Sequence, residues 1–193
     1  MDQPLPLVIV GAGGHGRSVL ELVRQLGAYI PAGFLDDTLE PGTEIMGMPV
    51  LGSTAVLADL PAKGIADIHV AIGHNSTRQA LLTRAGSAGL RCATLVHPRA
   101  FIAPSATVGS GCAVMAMASV GTEAVLADGA IVNMGAVVDH HARVGPCGHL
   151  GANATMAGGT SIGARAWMQA GSAIGYHVHL PDDAMLAPGE GRA

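Results

Sequence analysis

The sequence contains very few aromatic residues for its hydrophobicity. Its 193 residues include two Phe, two Tyr and one Trp, whereas 49% of all residues are hydrophobic and 28 are glycine. Phe, Tyr and Trp supply much of the bulk of a conventional thick core. Their scarcity argues against a wide sandwich core and favours a narrow core built from Val, Ile, Leu and Ala.

A basic surface and a long apolar run are also missing. The formal net charge is −4 and the pI is about 6.1, so nucleic acid is not an expected partner. No run of about 18 apolar residues is present, so no membrane span is expected. The N-terminal residues lack the basic segment of a signal peptide. These absences favour a cytoplasmic protein.

The three cysteines, Cys92, Cys112 and Cys147, do not have the spacing of a metal site. Their number is odd, which does not fit a complete framework of internal disulfides. We expect reduced thiols in a reducing compartment. Cys112 occupies a small-residue position of the repeat described next, which indicates a packing role.

Residues 102–190 repeat with a period of six. Every sixth residue is aliphatic or Met, and the residue four positions further on is nearly always small. A hexapeptide period predicts a parallel β-helix, in which three hexads form one coil and stacked coils bury a common core. We therefore expect residues 98–193 to form about five coils. The repeating apolar residues are Ile102, Val108, Val114, Val120, Leu126, Val132, Val138, Val144, Leu150, Met156, Ile162, Met168, Ile174, Leu180 and Leu186.

The N-terminal segment predicts a Rossmann-like β-α-β unit within a domain of residues 1–97. The strands are expected at 5–10 and 32–35, with a helix at 18–26 between them. The loop at 11–16 matches G-x-G-x-x-G, and Asp36 and Asp37 follow about 20 residues later, as in the dinucleotide fingerprint. The segment is too short for two β-α-β halves. We therefore expect a phosphate or nucleotide site rather than an NAD site, with a glycine-rich turn that binds no ligand as the alternative.

The rest of this segment predicts four further elements. We expect a short helix near 53–60, a strand at 69–72, a helix to about 85 capped by Asn75 or Ser76, and a strand at 91–96. Arg78 falls in the first turn of the second helix, where the helix dipole disfavours a cation. It indicates either an anion contact or, more commonly, a solvated side chain.

One polar cluster interrupts the nearly uncharged repeat, at Asp139, His140 and His141. The residues could be ordinary exposed side chains. They could bind zinc together with His149, although neighbouring residues of an extended strand point to opposite faces. They could also include a general base, because neutral imidazole accepts a proton near pH 7. A histidine pair with i, i+2 spacing, His177 and His179, is a second possible metal site.

Several motifs together resemble a family of bacterial sugar acyltransferases. They are the hexad array, the loop Gly-Ala-Gly-Gly-His-Gly, and the segments 34–37, 71–73 and 132–140. The family comprises sialic-acid O-acetyltransferases and PglD-type N-acetyltransferases. The resemblance covers essentially the whole chain. It implies a left-handed β-helix, a homotrimer with sites between subunits, acetyl-CoA as donor and a nucleotide-linked sugar as acceptor, with no metal.

The resemblance also implies roles for individual residues. His140 matches the catalytic histidine, and His141, which follows it, belongs to the same catalytic cluster. The expected nucleotide-sugar contacts are Gly13, Gly14, His15, Asp36, Asp37, Gly73 and Asn133. The expected acetyl-CoA contacts are His149, Ala170 and Gly189.

His141 departs from the family pattern, because the residue after the catalytic histidine is usually acidic. A neutral imidazole does not supply that negative charge, so another carboxylate must orient His140 or the base is weaker. An amine needs less help from a base than a hydroxyl does. We therefore predict an N-acetyltransferase of a nucleotide-linked amino sugar that serves bacterial surface glycan synthesis. The alternatives are a sialic-acid-type O-acetyltransferase and a non-catalytic trimer that binds a nucleotide-sugar.

Overall fold

The computed structural model describes residues 3–193, which form two compact units that divide between Ala93 and Thr94. The sequence placed this boundary four residues later, between 97 and 98. The difference arises because Leu95–Val96 pairs with Ala113–Val114 and so begins the second unit. The predicted strand at 91–96 is accordingly split, since Arg91–Cys92 pairs with Asp67–Ile68 of the first unit.

The first unit is built on a six-stranded sheet that is parallel except for one hairpin. Its strands are β1 (Leu5–Val10), β2 (Tyr29–Leu35), β3 (Glu44–Ile45), β4 (Met48–Gly52), β5 (Asp67–Val70) and β6 (Arg91–Cys92). Their order in the sheet is β3-β4-β2-β1-β5-β6, and β3 and β4 form the antiparallel pair. Two α-helices, α1 (Gly14–Leu26) and α2 (Asn75–Ser87), and two 3₁₀ helices (Thr54–Asp59 and Pro61–Lys63) connect the strands.

The expected β-α-β unit is confirmed in β1, α1 and β2. Residues 7–10 are completely buried, as expected of an apolar run in a central parallel strand. Helix α1 ends at Gly27, whose φ of 67° forms a left-handed C-cap. Strand β1 pairs in parallel with both β2 and β5. The carboxyl ends of the three strands therefore meet at one edge, where ligands commonly bind in sheets of this type.

Two local predictions for α2 are wrong. The residue that caps the helix is His74, and its side chain makes no capping hydrogen bond, so neither Asn75 nor Ser76 is the cap. Arg78 is fully buried rather than solvated. Its guanidinium donates to the carbonyl oxygen of Ile72 at 2.7 Å and to Asn75 Oδ1 at 2.8 Å. Arg78 therefore fixes the loop that follows β5.

The second unit is the parallel β-helix that the hexads predicted, and it is left-handed, as the family resemblance implied. It has three parallel sheets of two-residue strands, and it begins one hexad earlier than expected. The first sheet comprises Leu95–Val96, Ala113–Val114, Ile131–Val132, His149–Leu150, Trp167–Met168 and Met185–Leu186. The second comprises Phe101–Ile102, Ser119–Val120, Val137–Val138, Thr155–Met156, Ala173–Ile174 and Gly191–Arg192. The third comprises Thr107–Val108, Val125–Leu126, Arg143–Val144, Ser161–Ile162 and His179–Leu180.

The interior of the β-helix is formed by the repeating apolar residues and the small residues of the corners. Val114, Val132 and Leu150 stack in consecutive coils and are fully buried. Cys112 lies in the same core, and burial raises the pKa of its thiol to about 11. None of the three cysteines forms a disulfide within residues 3–193.

From Gly111 onward, each corner of the β-helix contains one residue in the left-handed conformation. At every sixth position from Gly111 to Gly189, φ lies between 53° and 70°. Glycine adopts this conformation without strain, and glycine occupies six of these positions. The other eight carry side chains, and they are Met117, Glu123, His141, Cys147, Asn153, Arg165, His177 and Asp183.

Neither α-helix of the described chain is long and apolar enough to cross a lipid bilayer.

Candidate active site

The polar cluster lies at one corner of the β-helix, between Val137–Val138 and Arg143–Val144. His140 and His141 occupy this corner, and His141 is its left-handed residue. Their Nδ1 atoms are 2.9 Å apart, and their rings are nearly perpendicular at 87°. The expectation that the two rings point to opposite faces was wrong, because it assumed an extended strand where the chain makes a corner.

Glu123 completes this cluster from the preceding coil. Its Oε2 lies 3.0 Å from His141 Nε2. Glu123 was not predicted from the sequence as part of this cluster. The 18-residue length of a coil could have identified it, because Glu123 occupies the same corner position as His141 one coil earlier. A carboxylate from the preceding coil therefore lies at this corner, and it contacts His141 rather than His140.

Asp139 holds the backbone of the same corner. Its Oδ1 accepts the backbone N–H of His140 at 2.6 Å. Its Oδ2 lies 3.8 Å from His140 Nε2, which is beyond hydrogen-bonding distance. Asp139 therefore orients the peptide that carries His140 and does not bond to the ring.

Gly158, one coil after His140, makes room for the imidazole. A methyl group built on Gly158 would overlap Cε1 and Nε2 of the His140 ring. The ring therefore lies directly over the backbone of the following coil. About half of the His140 side chain is exposed, so the ring is accessible to a substrate while its position is restricted.

The glycine-rich loop of the first unit divides into packing positions and open positions. A methyl group on Gly16 would overlap the carbonyl oxygen of Gly11, and Gly11 itself has a φ of 105°. Gly13 and Gly14 are exposed, and a methyl group on either would meet nothing within 4 Å. Only the open pair is thus placed to leave space for a ligand. His15 is half-buried in the first turn of α1.

The two carboxylates of the acidic pair are engaged within the first unit. Asp36 Oδ2 accepts the backbone N–H of Ala12 at 2.8 Å, and its Oδ1 accepts the hydroxyl of Thr38 at 2.6 Å. Burial favours a higher pKa for Asp36, but the hydrogen bonds from Thr38 and Ala12 hold the pKa of this carboxyl below its ordinary value. Asp37 accepts the backbone N–H of Thr54 at 2.7 Å. Asp36 therefore connects the glycine-rich loop to the end of β2.

Gly73 follows β5 at the sheet edge that also carries the glycine-rich loop. Its carbonyl oxygen accepts a hydrogen bond from the buried Arg78 at 3.3 Å. The structure thus brings the loop, Asp36 and Gly73 to one edge of the first unit. Asn133 belongs to the second unit, at the corner that precedes Val137–Val138 in the coil of His140. Its Oδ1 accepts the backbone N–H of Met134 at 2.8 Å.

The predicted acetyl-CoA contacts lie in three later coils. His149 is only 6% exposed, and its ring stacks on Trp167 with a centroid distance of 5.4 Å. Trp167, which the sequence reading missed, lies one coil beyond His149. The backbone N–H of Gly189 donates to the carbonyl oxygen of Ala170 at 2.9 Å, so these two residues are neighbours at one corner.

Within residues 3–193, no three His, Cys, Asp or Glu side chains are grouped so that they could hold a metal ion. The i, i+2 argument for His177 and His179 was wrong because His177 lies in a left-handed corner rather than on a strand. His179 Nδ1 lies 2.7 Å from the hydroxyl of Ser161.

Comparison with known proteins gives consistent matches for both units. Residues 6–85 match the model of the PglD N-terminal domain. A mutant of GDP-perosamine N-acetyl transferase from Caulobacter crescentus, solved in complex with CoA and GDP-perosamine, is 36% identical and superposes with a TM-score of 0.91. That match covers 95% of this chain and 86% of the solved chain.

Two further relatives are similar to this chain. The acetyltransferase domain of PglB from Neisseria gonorrhoeae, solved in complex with acetyl coenzyme A, is 33% identical with a TM-score of 0.81, over 97% of this chain and 98% of that one. The UDP-N-acetylbacillosamine N-acetyltransferase of Bacillus subtilis (strain 168) is 35% identical over 115 residues. This match covers 57% of the present chain and spans about half of that relative, 51% of its length.

Proposed function

Because the chain belongs to the family of hexapeptide-repeat sugar N-acetyltransferases that includes the Caulobacter crescentus enzyme, we propose that it transfers the acetyl group of acetyl-CoA to the amino group of a nucleotide-linked amino sugar. The observation that carries this function is the placement of His140. Its ring is exposed at a corner, rests on Gly158 and is engaged at Nδ1 by His141. Nε2 is the nitrogen that remains to accept a proton.

The proposed reaction is a direct acyl transfer. The neutral amine of the sugar attacks the thioester carbon, and His140 Nε2 accepts the proton that the nitrogen loses. The tetrahedral intermediate then collapses with cleavage of the C–S bond, and the proton passes to the departing sulfur to give the amide and CoA. A base in this position typically accelerates such a step by about 10²–10⁴-fold.

We assign binding of the nucleotide part of the acceptor substrate to the first unit. Gly13 and Gly14 are open, and α1 begins there without an acidic residue in its first turn and without a side-chain cap. The backbone N–H groups of such a helix start attract phosphate. We assign Gly13, Gly14 and His15 to the phosphates. The sheet edge next to this loop carries Asp36, Asp37 and Gly73, which we assign to the rest of the nucleotide. We assign Asn133 to the sugar.

We assign binding of acetyl-CoA to the later coils of the β-helix, at His149, Ala170 and Gly189. His149 contributes the edge of a ring that Trp167 holds in place by stacking. The exposed Ala170 and Gly189, joined by a backbone hydrogen bond, offer a small-residue surface along which a pantetheine chain can lie.

The functional assembly in this proposal is a homotrimer. The apolar side chains of Met117, Met134 and Phe101 are 66%, 46% and 58% exposed on the β-helix, and burial against another copy of the chain would cover them. A cytoplasmic location, where acetyl-CoA is available, fits the absence of disulfides among the described residues. The product would serve bacterial surface glycan synthesis.

The function is tested with a panel of UDP- and GDP-linked amino sugars, in which CoA release and the acetylated product are both measured. We expect His140→Ala to lower kcat by about 10²–10⁴-fold without weakening substrate binding in calorimetry. Transfer at the wild-type rate in His140→Ala would refute the mechanism.

Two outcomes would favour the alternatives. Faster acetylation of a sugar hydroxyl than of any amino sugar would indicate an O-acetyltransferase. Binding of a nucleotide-sugar without transfer by the wild-type protein would indicate the non-catalytic trimer.

A further inference from the structure

Three side chains from two coils form a continuous series of close polar contacts at the corner of His140, an ion-pair contact followed by a hydrogen bond. Glu123 Oε2 lies 3.0 Å from His141 Nε2, and His141 Nδ1 lies 2.9 Å from His140 Nδ1. Both distances are within the range of hydrogen bonds between nitrogen and its partners. The series begins at a carboxylate and ends at the ring assigned above as the base.

The chemistry of the three groups determines where the protons lie. A carboxylate only accepts hydrogen bonds, so His141 carries its proton on Nε2 when it bonds to Glu123. Neutral His141 then has an unprotonated Nδ1, which accepts a hydrogen bond from His140 Nδ1. His140 therefore carries its own proton on Nδ1. Its Nε2 is therefore unprotonated and has a free lone pair, which a general base requires.

We propose that Glu123 is a positioning residue, which acts through His141 to fix the tautomer of His140 and to stabilise the charge that forms there; this inference rests on the proposed function. When His140 Nε2 accepts the proton of the amine, the ring becomes an imidazolium. The Nδ1 proton can then shift toward His141 Nδ1, which moves the positive charge to the ring that contacts the Glu123 carboxylate. Opposite charges at this separation attract each other.

The backbone of the two corners keeps the series in register. Glu123 and His141 occupy the same left-handed corner position one coil apart, with φ values of 56° and 59°. The backbone N–H of Glu123 donates to the hydroxyl of Ser105, one coil earlier still, at 3.1 Å. The backbone N–H of His141 donates to the carbonyl oxygen of Thr122 at 2.8 Å. These bonds fix the starting points of both side chains.

Asp139 is the competing source of negative charge. Its carboxylate already accepts the His140 backbone N–H, and its other oxygen is 3.8 Å from Nε2, on the side of the ring where the substrate amine must approach. At 3.8 Å this oxygen is too far from Nε2 to accept a hydrogen bond from it, so it does not draw the ring proton to that nitrogen. The geometry therefore favours Glu123 over Asp139 for setting the tautomer.

The kinetic test compares two substitutions of Glu123. Glu123→Ala removes both the acceptor and the charge, and we expect kcat to fall by about 10–100-fold, the loss typical when the hydrogen-bond partner that orients a functional imidazole is removed. Glu123→Gln keeps an acceptor oxygen for His141 and removes only the charge, so its kcat should lie between those of the wild type and Glu123→Ala. The KM values of both substrates should change by less than about twofold, because Glu123 does not bind them.

A matched control exists on the same solenoid. Asp183 and Arg165 also form a corner ion pair between successive coils, with Oδ1 and Nε 2.7 Å apart. Asp183→Ala removes this pair and should leave kcat unchanged. An equal loss of kcat in Asp183→Ala and Glu123→Ala would show that only the stability of the corners matters, and would overturn the proposal.

A second readout does not require activity. The nitrogen-15 shifts of histidine side chains distinguish protonated from unprotonated ring nitrogens, and the His140 signals are assigned by their loss in His140→Ala. We expect the Nδ1–H tautomer of His140 in the wild type and in Glu123→Gln, and a mixture of tautomers in Glu123→Ala. The same tautomer ratio in all three proteins would overturn the proposal, whether or not the proposed reaction is observed.

A rescue variant separates positioning from general damage to the corner. In the double variant Glu123→Ala with His141→Glu, the carboxylate would contact His140 directly, and glutamate is tolerated in a left-handed corner because Glu123 already occupies one. We expect this variant to recover most of the kcat lost in Glu123→Ala. Failure to recover, together with a loss in Asp139→Asn as large as in Glu123→Ala, would assign the charge to Asp139 instead.

Discussion

At the scale of single residues, the position of His140 depends on a residue that has no side chain. The imidazole lies over Gly158, and any β-carbon there would occupy the same space. The overlapping atoms belong to an exposed ring that can rotate away, so a substitution would affect the position of the ring more than the fold. Function and stability are therefore separable at Gly158.

We predict that Gly158→Ala lowers kcat by about 100-fold, because displacement of a catalytic group by about 1 Å can have an effect of this size. The thermal unfolding midpoint should change little, since φ at Gly158 is not in the left-handed region. Steady-state kinetics and thermal unfolding measure the two effects. Gly191→Ala, at a glycine with open space around it, is the matched control and should change neither quantity.

Residue-scale contacts were the least predictable from the sequence. The departure at His141 indicated that a carboxylate had to be found elsewhere, but the sequence did not indicate which one. Glu123 was missed because its partner is one coil away, and Trp167 was missed as the stacking partner of His149 for the same reason. The prediction of a solvated Arg78 was wrong because the local sequence pattern does not show that a guanidinium is buried. Its three acceptors are two backbone carbonyl oxygens and one side-chain oxygen.

At the scale of elements, the glycine-rich loop joins β1 to α1 with two kinds of glycine. Gly16 lets the first turn of α1 approach the carbonyl oxygen of Gly11, whereas Gly13 and Gly14 border open space. The G-x-G-x-x-G pattern alone did not separate these roles. The distinction follows from the distance between the start of the helix and the end of the strand.

We predict that Gly16→Ala affects stability, whereas Gly14→Ala affects binding of the nucleotide-sugar. Gly16→Ala should lower the free energy of unfolding by about 1–3 kcal/mol, because the methyl group meets a backbone oxygen that cannot rotate away. Gly14→Ala should leave stability unchanged or slightly raised, since alanine favours helix, but should weaken binding of the nucleotide-sugar. Denaturant unfolding and calorimetric titration measure the two quantities. Weakened stability in Gly14→Ala with unchanged binding would contradict the assignment of the open pair.

Elements themselves were predicted well where a period governs them. The hexads gave the inward residue of each strand from Ile102 to Leu186, because the second residue of each two-residue strand in this range packs in the core. The boundary between the two units was misplaced where the period is weakest. The sequence predicts the junction between residues 97 and 98, yet Leu95–Val96 already pairs with the next coil.

At the scale of the whole molecule, one buried histidine couples the stability of the first unit to pH. His69 lies in β5 and is 1% exposed, and its Nδ1 donates to the carbonyl oxygen of Ala93 at 2.8 Å. Burial lowers the pKa of His69 to about 4. The folded ring therefore stays neutral at a pH at which the unfolded chain is already protonated.

We predict that the protein loses stability as the pH falls from about 6.5 to about 4, because the unfolded state binds a proton that the folded state does not. The free energy of unfolding should fall by roughly 3 kcal/mol over this range from His69 alone. His69→Asn keeps an N–H donor for Ala93 and removes the titrating ring. Urea unfolding across this pH range should show a weaker pH dependence in the variant, and identical slopes in both proteins would contradict the prediction.

Because each coil has 18 residues, residues that are 18 positions apart stack at the same corner and form a column along the β-helix. Ser105, Glu123, His141, Gly159 and His177 are neighbours in space in that order, although each pair is separated by a full coil. A functional group can consequently exchange places with one 18 residues away and still reach the same ring. Related enzymes would then keep the same side chains in this column while their order along the chain varies. A comparison restricted to contiguous segments would score a positioning carboxylate as lost where it has only moved by 18 residues.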